Sequence, residues 1–267
     1  GTWQKFRGNE ERGRELLDIA AKAAKQVIDS KAFSLFKPDA LKEKAQKYMF
    51  ILEDAKSNPA GIQKSANKEY IFARRHDESL APIGKNITKT NLINMVWVSR
   101  KFANMYLCQN GLPVTYNNGT NPQFKGYATL ASEWENRDNR MRYTLAKPGD
   151  TFWDNSSKGC RLTWNDASDQ NHAVHTDFIP RSGTGYHNQK WASEREVKDN
   201  FEGYDYPIIR YAEVLLNYAE AVYERDGKIE DADLNLSLNL VRTRVNPNMP
   251  GLTNKLVNDN GLSMREE

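Results

Sequence analysis

The chain has 267 residues, of which 39% are hydrophobic, and its 38 lysines and arginines nearly balance 35 aspartates and glutamates. At about 150 residues per domain, this length corresponds to one large domain or two modest ones. The net charge of +3 gives too weak a positive field for tight nucleic-acid binding. The mean hydropathy is −0.79, and no apolar run approaches the ~20 residues that span a bilayer.

Apolar residues recur at helical spacing in several segments. In the first of them, Leu16, Ala20, Ala23 and Val27 share one face of a helix. Comparable spacing, ended by turns rich in Gly, Pro or Asn, predicts four more helices. The predicted helices cover residues 9–29, 39–55, 91–107, 208–225 and 231–245.

Two short segments are ambiguous by periodicity alone. Glu69–Arg74 has the length of a strand, but a run this brief does not separate strand from helix. In 231–245 the leucines alternate with period two and also fit helical spacing. The N-cap candidate Asp231 favours a helix there.

The segment 114–203 differs from the rest of the chain, because turn signals such as Asn117-Asn118-Gly119 recur at close intervals. Loops of this length are functional or disordered, and the presence of several tryptophans favours ordered, functional loops. We therefore predict one domain over residues 1–267, with a helical body, 1–113 and 204–267, and a loop-rich insert, 114–203.

The chain contains two cysteines, Cys108 and Cys160. They could form one disulfide or remain two thiols, and their spacing matches no zinc-binding pattern.

Several motifs resemble those of one protein family. Asp205–Ala221 resembles the signature helix of the SusD/RagB family of outer-membrane nutrient-binding lipoproteins. Leu238–Arg244 follows at the family's distance, where the sequence LNxVRxRAG is usual, although Val245-Asn246 replaces Ala-Gly. Further matches run in family order: Asn67–Ala73, Gly111–Pro113, Asn136–Arg140 with Asn139 where Pro is common, and Gly185-Tyr186 with Lys190-Trp191.

This resemblance implies a mainly α-helical, tetratricopeptide-like scaffold with long irregular loops and a few short strands. It also implies a non-catalytic component of a TonB-dependent outer-membrane nutrient uptake complex, which docks on a SusC-like transporter and captures oligosaccharides or polysaccharides. No cofactor and no nucleic-acid partner are expected.

Family members continue on both sides of the part that corresponds to this chain. A signal peptide with a lipidated cysteine and the first repeat helices would precede Gly1, and an ERRxEL helix with a C-terminal tail would follow Glu267. We therefore expect an internal fragment of a surface-exposed outer-membrane protein, whose membrane contact is made only through the lipid anchor that the fragment lacks.

Sugar binding requires flat apolar rings for the C–H face of a pyranose and polar groups for its hydroxyls. Trp153 is followed by Asp-Asn and Trp164 by Asn-Asp, so each site combines a flat apolar ring with polar side chains. The alternative is that these rings anchor loops to the helical body. The candidate carbohydrate-binding residues are Trp153, Trp164, Tyr186 and Trp191.

Neither a metal site nor a catalytic site is predicted. His172 and His175 would share a helical face at i and i+3 and, with Asp177, could supply three metal ligands from a helix turn. Little else in the chain would complete a ligand set, so a solvated loop is favoured. Glycosidase carboxyls must lie about 5–9.5 Å apart across a cleft, which proximity in sequence does not establish. The acidic groups considered are Asp205 with Glu213, and Glu133 with Glu135 and Asp138.

Arg210 and Glu213 are one helical turn apart and are interpreted as a structural pair. The competing function is a helical-repeat scaffold that binds another protein through its aromatic residues, without a sugar site of its own. A glycoside hydrolase is the third alternative.

Overall fold

The computed structural model describes residues 9–90, 96, 98–128, 132–147, 151–152, 160–161, 186, 188–195 and 197–267. Over these residues the chain is mainly α-helical with a few short strands, as predicted. It divides into two compact units. The described residues of the first unit are 9–35, 68–72 and 207–267, and those of the second lie within 36–67 and 73–206.

The regular elements are as follows. The helices are α1 (Glu10–Ser30), α2 (Ala45–Tyr48), α3 (Ile87–Lys89), α4 (Arg100–Met105), α5 (Asn139–Thr144), α6 (Tyr211–Asp226), α7 (Asp231–Leu236), α8 (Leu238–Thr243) and α9 (Asn254–Asp259), with 3₁₀ turns at Lys42–Lys44, Lys64–Ala66 and Ser132–Trp134. The strands pair in twos: β1 (Tyr70–Arg74) with β6 (Tyr206–Arg210), β2 (Thr115–Tyr116) with β3 (Gly119–Thr120), and β4 (Thr151–Phe152) with β5 (Cys160–Arg161).

The first unit is built on the packing of α1 against α6. Ala21, Ala24 and Ile28 recur at helical spacing and are buried, so one face of α1 enters the core. The Asn9 side chain accepts a hydrogen bond from the Arg12 N–H and caps the start of α1. The helix ends at Lys31, whose backbone is left-handed with φ of 52°. The predicted helix over 9–29 is confirmed.

A buried ion cluster joins distant segments of this unit. The Glu69 carboxylate is fully buried and accepts hydrogen bonds from Arg210 at 2.8 Å and from Arg244 at 2.8 and 2.9 Å. The backbone N–H of Tyr211 donates to the Glu69 carbonyl at 2.8 Å. Arg210 thus forms its salt bridge with Glu69, whereas the sequence suggested Glu213.

The predicted helix over 39–55 is wrong for most of its length. A 3₁₀ turn, Lys42–Lys44, leads into the four residues of α2. The next four residues, 49–52, are all buried. These residues form turns and irregular backbone, and because all four are buried they lack the one-sided apolar pattern of a surface helix.

Three other predicted helix boundaries also differ. Tyr206–Arg210 is a strand, and α6 begins at Tyr211 rather than at 208, since Pro207 and two isoleucines fit an extended edge. The segment 231–245 contains two helices that break at Ser237, whose φ of −133° and ψ of −92° are not helical. In 91–107, α4 covers only Arg100–Met105, and residues 91–95 and 97 lie outside the described residues.

The second unit has a small core around α4 and α5, with Ala103, Met141 and Leu145 fully buried. The ambiguous run Glu69–Arg74 is resolved as strand β1, which belongs mostly to the first unit. Cys108 is a buried free thiol. The described parts of 114–203 contain α5, one 3₁₀ turn and the short pairs β2–β3 and β4–β5, and the division into helical body and insert stays a prediction.

Candidate functional site

An aromatic cluster in the second unit consists of Phe50, Trp191, Tyr204 and Tyr206, and we call it the Trp191 cluster. The Trp191 ring stacks with Tyr204 at a centroid distance of 5.5 Å and with Tyr206 at 5.6 Å. Phe50 meets the Trp191 ring edge-on at 4.9 Å. Such offset and edge contacts are the preferred arrangements of aromatic pairs.

The members of this cluster differ in their exposure to solvent. Tyr204 is buried and Trp191 is half-buried, whereas 56% of Tyr206 is exposed. The cluster therefore presents one tyrosine at the surface and supports it with a second aromatic ring. A large exposed ring on a rigid support is the arrangement that stacks on the apolar face of a sugar.

The backbone at Trp191 has an unusual conformation and a side-chain hydrogen bond. Trp191 has a left-handed backbone with φ of 74°, which is uncommon for a bulky residue. The Tyr204 hydroxyl donates to the Trp191 carbonyl at 2.9 Å. Burial raises the pKa of Tyr204 far above its ordinary value, so this hydroxyl keeps its proton and remains a donor.

Tyr186, a predicted sugar residue, lies in the core rather than at the surface. Its side chain is 3% exposed, and its hydroxyl donates to Glu133 at 2.7 Å. Burial, followed by this bond to a carboxylate, raises the pKa of Tyr186 well above its ordinary value. The Tyr186 ring thus packs in the core around α4 and α5, and its hydroxyl has an internal partner.

The other predicted residues are placed as follows. Trp191 belongs to the aromatic cluster, and Trp153 and Trp164 lie outside the described residues, as do His172, His175 and Asp177. The sugar-binding role of Trp153, Trp164, Tyr186 and Trp191 stays a prediction. Sequence reasoning missed Tyr206, although the spacing of Tyr204 and Tyr206 at i and i+2 in an extended segment was a usable signal.

Basic side chains of the second unit form salt bridges with several acidic groups. Lys64 donates to the Asp205 carboxylate at 2.9 Å, and Arg195 binds both Glu53 and Glu78. Burial raises the pKa of Glu53 above its ordinary value, although Arg195 and the Gly203 N–H oppose this shift. These acids are structural groups with fixed partners.

Glu202 is a second deeply buried acid. It accepts hydrogen bonds from the N–H groups of Ile87 and Thr88 and from the Thr88 hydroxyl. Burial raises the pKa of Glu202 in spite of these donors. Its side chain has no exposed surface, so a dissolved sugar cannot reach it.

The described residues contain no group of three or more His, Cys, Asp or Glu side chains placed to hold a metal ion. No helix within the described ranges is long and apolar enough to cross a membrane.

Comparison with known families identifies the class of protein. The model of the SusD family matches residues 57–261. Because this match spans more than half of the chain, the chain belongs to the SusD family.

Two solved structures from Bacteroides fragilis have a similar fold. A SusD-like carbohydrate-binding protein is 21% identical, with a TM-score of 0.57, and the match covers 87% of this chain and 41% of that protein. A SusD-like protein is 22% identical, with a TM-score of 0.52, and the match covers 88% of this chain and 45% of that protein. This chain therefore spans less than half the length of either structure. A comparison with curated proteins gave no significant match.

Proposed function

We propose that this chain binds glycans without cleaving them, as part of a surface-exposed, lipid-anchored component of a TonB-dependent outer-membrane nutrient uptake complex. Membership of the SusD family supports the proposal, and one protein of similar fold is described as carbohydrate-binding. The partner in this proposal is a SusC-like transporter, and the ligand is an oligosaccharide or polysaccharide.

The observation that carries glycan binding is the exposed Tyr206 ring stacked on Trp191. The ring offers apolar area to a pyranose, and its hydroxyl offers a hydrogen bond at the edge. Loss of one stacking ring removes about 1–3 kcal/mol of binding free energy, which is about 5- to 150-fold in affinity.

Isothermal titration against a panel of soluble polysaccharides tests this proposal. We expect Tyr206→Ala to weaken binding by the factor given above and to leave the melting temperature nearly unchanged. Phe72→Ala is the matched control, because Phe72 is an aromatic residue of equal exposure, 57% against 56%, on strand β1. Equal affinities of the wild type and Tyr206→Ala would contradict a role for this ring.

The sequence-based sites belong in the same titration. If Trp153 or Trp164 stacks on sugar, replacement by Ala lowers affinity and leaves stability unchanged. If the ring instead anchors a loop to the helical body, the variant loses about 3–5 kcal/mol of stability. Co-purification of the full-length protein with a TonB-dependent transporter from solubilised outer membranes tests the proposed partner.

A further inference from the structure

A cavity of about 370 Å³ opens in the second unit between α4, the β2–β3 hairpin and the segment that carries Phe124 and Tyr127. Its volume lies in the range of about 300–1,000 Å³ that is usual for small-molecule sites. The cavity is separate from the Trp191 cluster, because no residue of that cluster lines it.

One wall of the cavity is aromatic and held rigidly. Tyr127 is 47% exposed, and its ring meets Phe124 edge-on at 5.2 Å. The Arg100 guanidinium lies 4.2 Å from the centroid of the Tyr127 ring. The cation fixes the ring and adds a positive charge beside the cavity.

Two side chains of α4, Lys101 and Asn104, offer hydrogen-bond donors at the cavity. The Tyr127 hydroxyl donates to Asn104 Oδ1 at 2.9 Å, which leaves the Asn104 amide N–H groups for a ligand. Lys101 and Asn104 both line the cavity, and their i, i+3 spacing places them on one face of α4.

The residues that line the cavity carry a positive charge and no negative charge. Lys101 is the charged residue among those that line it, and no carboxylate lines it. Among the described residues, no carboxylate forms a salt bridge with Lys101. Glu133, which interacts electrostatically with Arg100, accepts a hydrogen bond from the Tyr186 hydroxyl. A ligand that brings its own negative charge would therefore meet a cation without a competing internal partner.

We infer that this cavity binds a sugar unit that carries a carboxylate or a sulfate group. The Tyr127 ring supports the apolar face of the sugar, Asn104 donates to its hydroxyls, and the Lys101 ammonium binds the anionic group. The inference rests on the proposed glycan binding and adds a second site with a defined ligand class.

Titration of the 267-residue chain with three probes tests the inference. The probes are an oligogalacturonide, the same oligosaccharide with its carboxylates methyl-esterified, and a sulfated galactan oligosaccharide. A hydrogen bond between charged groups is worth a factor of about ten or more. We expect the wild type to bind the free acid or the sulfated probe about tenfold more tightly than the ester.

The variant Lys101→Met removes the charged group and keeps an unbranched apolar side chain that is only one atom shorter, so it should abolish this preference. Lys125→Met is the matched control, because it changes the net charge equally, follows Phe124 in sequence and does not line the cavity. It should retain the preference, and unchanged melting temperatures would show that both variants are folded. Preference for one probe over the other identifies the anionic group as carboxylate or sulfate.

Equal affinity of the wild type for all three probes would overturn the inference and leave the proposed function intact, since glycans would still bind. An equal loss in both variants would also overturn it, because a diffuse charge effect would explain the preference. Failure of every glycan to bind, charged or neutral, would instead contradict the proposed function itself.

Discussion

The Glu69 side chain connects three segments that are distant in sequence: its own and those that carry Arg210 and Arg244. Its carboxylate has no exposed surface and is bonded by Arg210, from the end of β6, and by Arg244, which follows α8. All three residues lie in motifs by which the sequence resembles the SusD/RagB family. The ion cluster provides a physical reason for those motifs to occur together, since removal of one partner leaves buried charge uncompensated.

We expect Glu69→Gln to destabilise the chain by about 3–5 kcal/mol, because two guanidinium groups would lose their buried counter-charge while the side-chain volume stays the same. Urea denaturation followed by circular dichroism measures the free energy of unfolding. Glu230→Gln is the control. It breaks the exposed Lys228–Glu230 pair and should leave the unfolding free energy nearly unchanged. Similar losses of unfolding free energy in the two variants would show that the buried cluster stabilises the fold no more than an exposed ion pair does.

At the scale of single elements, the predictability of the fold follows the length and exposure of each helix. Helix α1 could be predicted because 21 residues with one buried face give several repeats of the helical period. The α2 region could not, because residues 49–52 are buried on every side and show no period. The start of α6 was misplaced, because the isoleucines of β6 also fit a helical pattern.

The candidate site could also be predicted from the sequence only in part. Trp191 was named as a candidate from its motif and its large flat ring, and its sugar-binding role stays a prediction. Tyr206 was missed, because the i, i+2 spacing of Tyr204 and Tyr206 marks a shared face only where the segment is extended, and the sequence did not predict a strand there. The donor-rich cavity beside Tyr127 combines side chains that are 26 positions apart in sequence, from Lys101 to Tyr127, and no local pattern brings them together.

Two glycines of the helical elements should respond in opposite directions to the same substitution. Gly13 lies inside α1, and an added Cβ would contact nothing within 4 Å, so Gly13→Ala should stabilise the chain by about 0.5–1 kcal/mol. Gly227 ends α6 with φ of 70°, and its N–H donates to the Tyr223 carbonyl. Gly227→Ala should destabilise the chain by about 1–2 kcal/mol, because a Cβ disfavours the left-handed backbone.

Thermal unfolding of the two alanine variants, compared with the wild type, measures both effects. Each variant serves as the other's control, since the chemical change is identical. Shifts of the same sign would contradict the assignment of opposite backbone roles.

At the scale of the whole molecule, three acids with largely buried side chains in the described part of the chain are bound by structural partners. Glu69 is held by arginines, Glu53 by Arg195 and the Gly203 N–H, and Asp205 by Lys64. Glycoside hydrolysis requires two carboxyls that both reach the substrate. The side chain of Glu53 is only 6% exposed, and that of Glu69 is not exposed.

We therefore expect the purified chain to release no reducing ends from any glycan that it binds. A reducing-sugar assay over extended incubation, with a heat-denatured sample as the blank, measures this property. Time-dependent release that increases with protein concentration would contradict a purely binding role.

Lys64 illustrates what this architecture requires of related sequences. Its ammonium donates to the carbonyls of His76 and Gly203 and to the Asp205 carboxylate, so a single nitrogen directs three bonds to three acceptors. An arginine spreads its donors over a rigid plane and cannot reproduce this convergence. We therefore expect that selection acts against exchange of lysine for arginine at position 64, although the same exchange is neutral at many surface positions. Descendants that keep this arrangement are therefore expected to retain lysine at position 64.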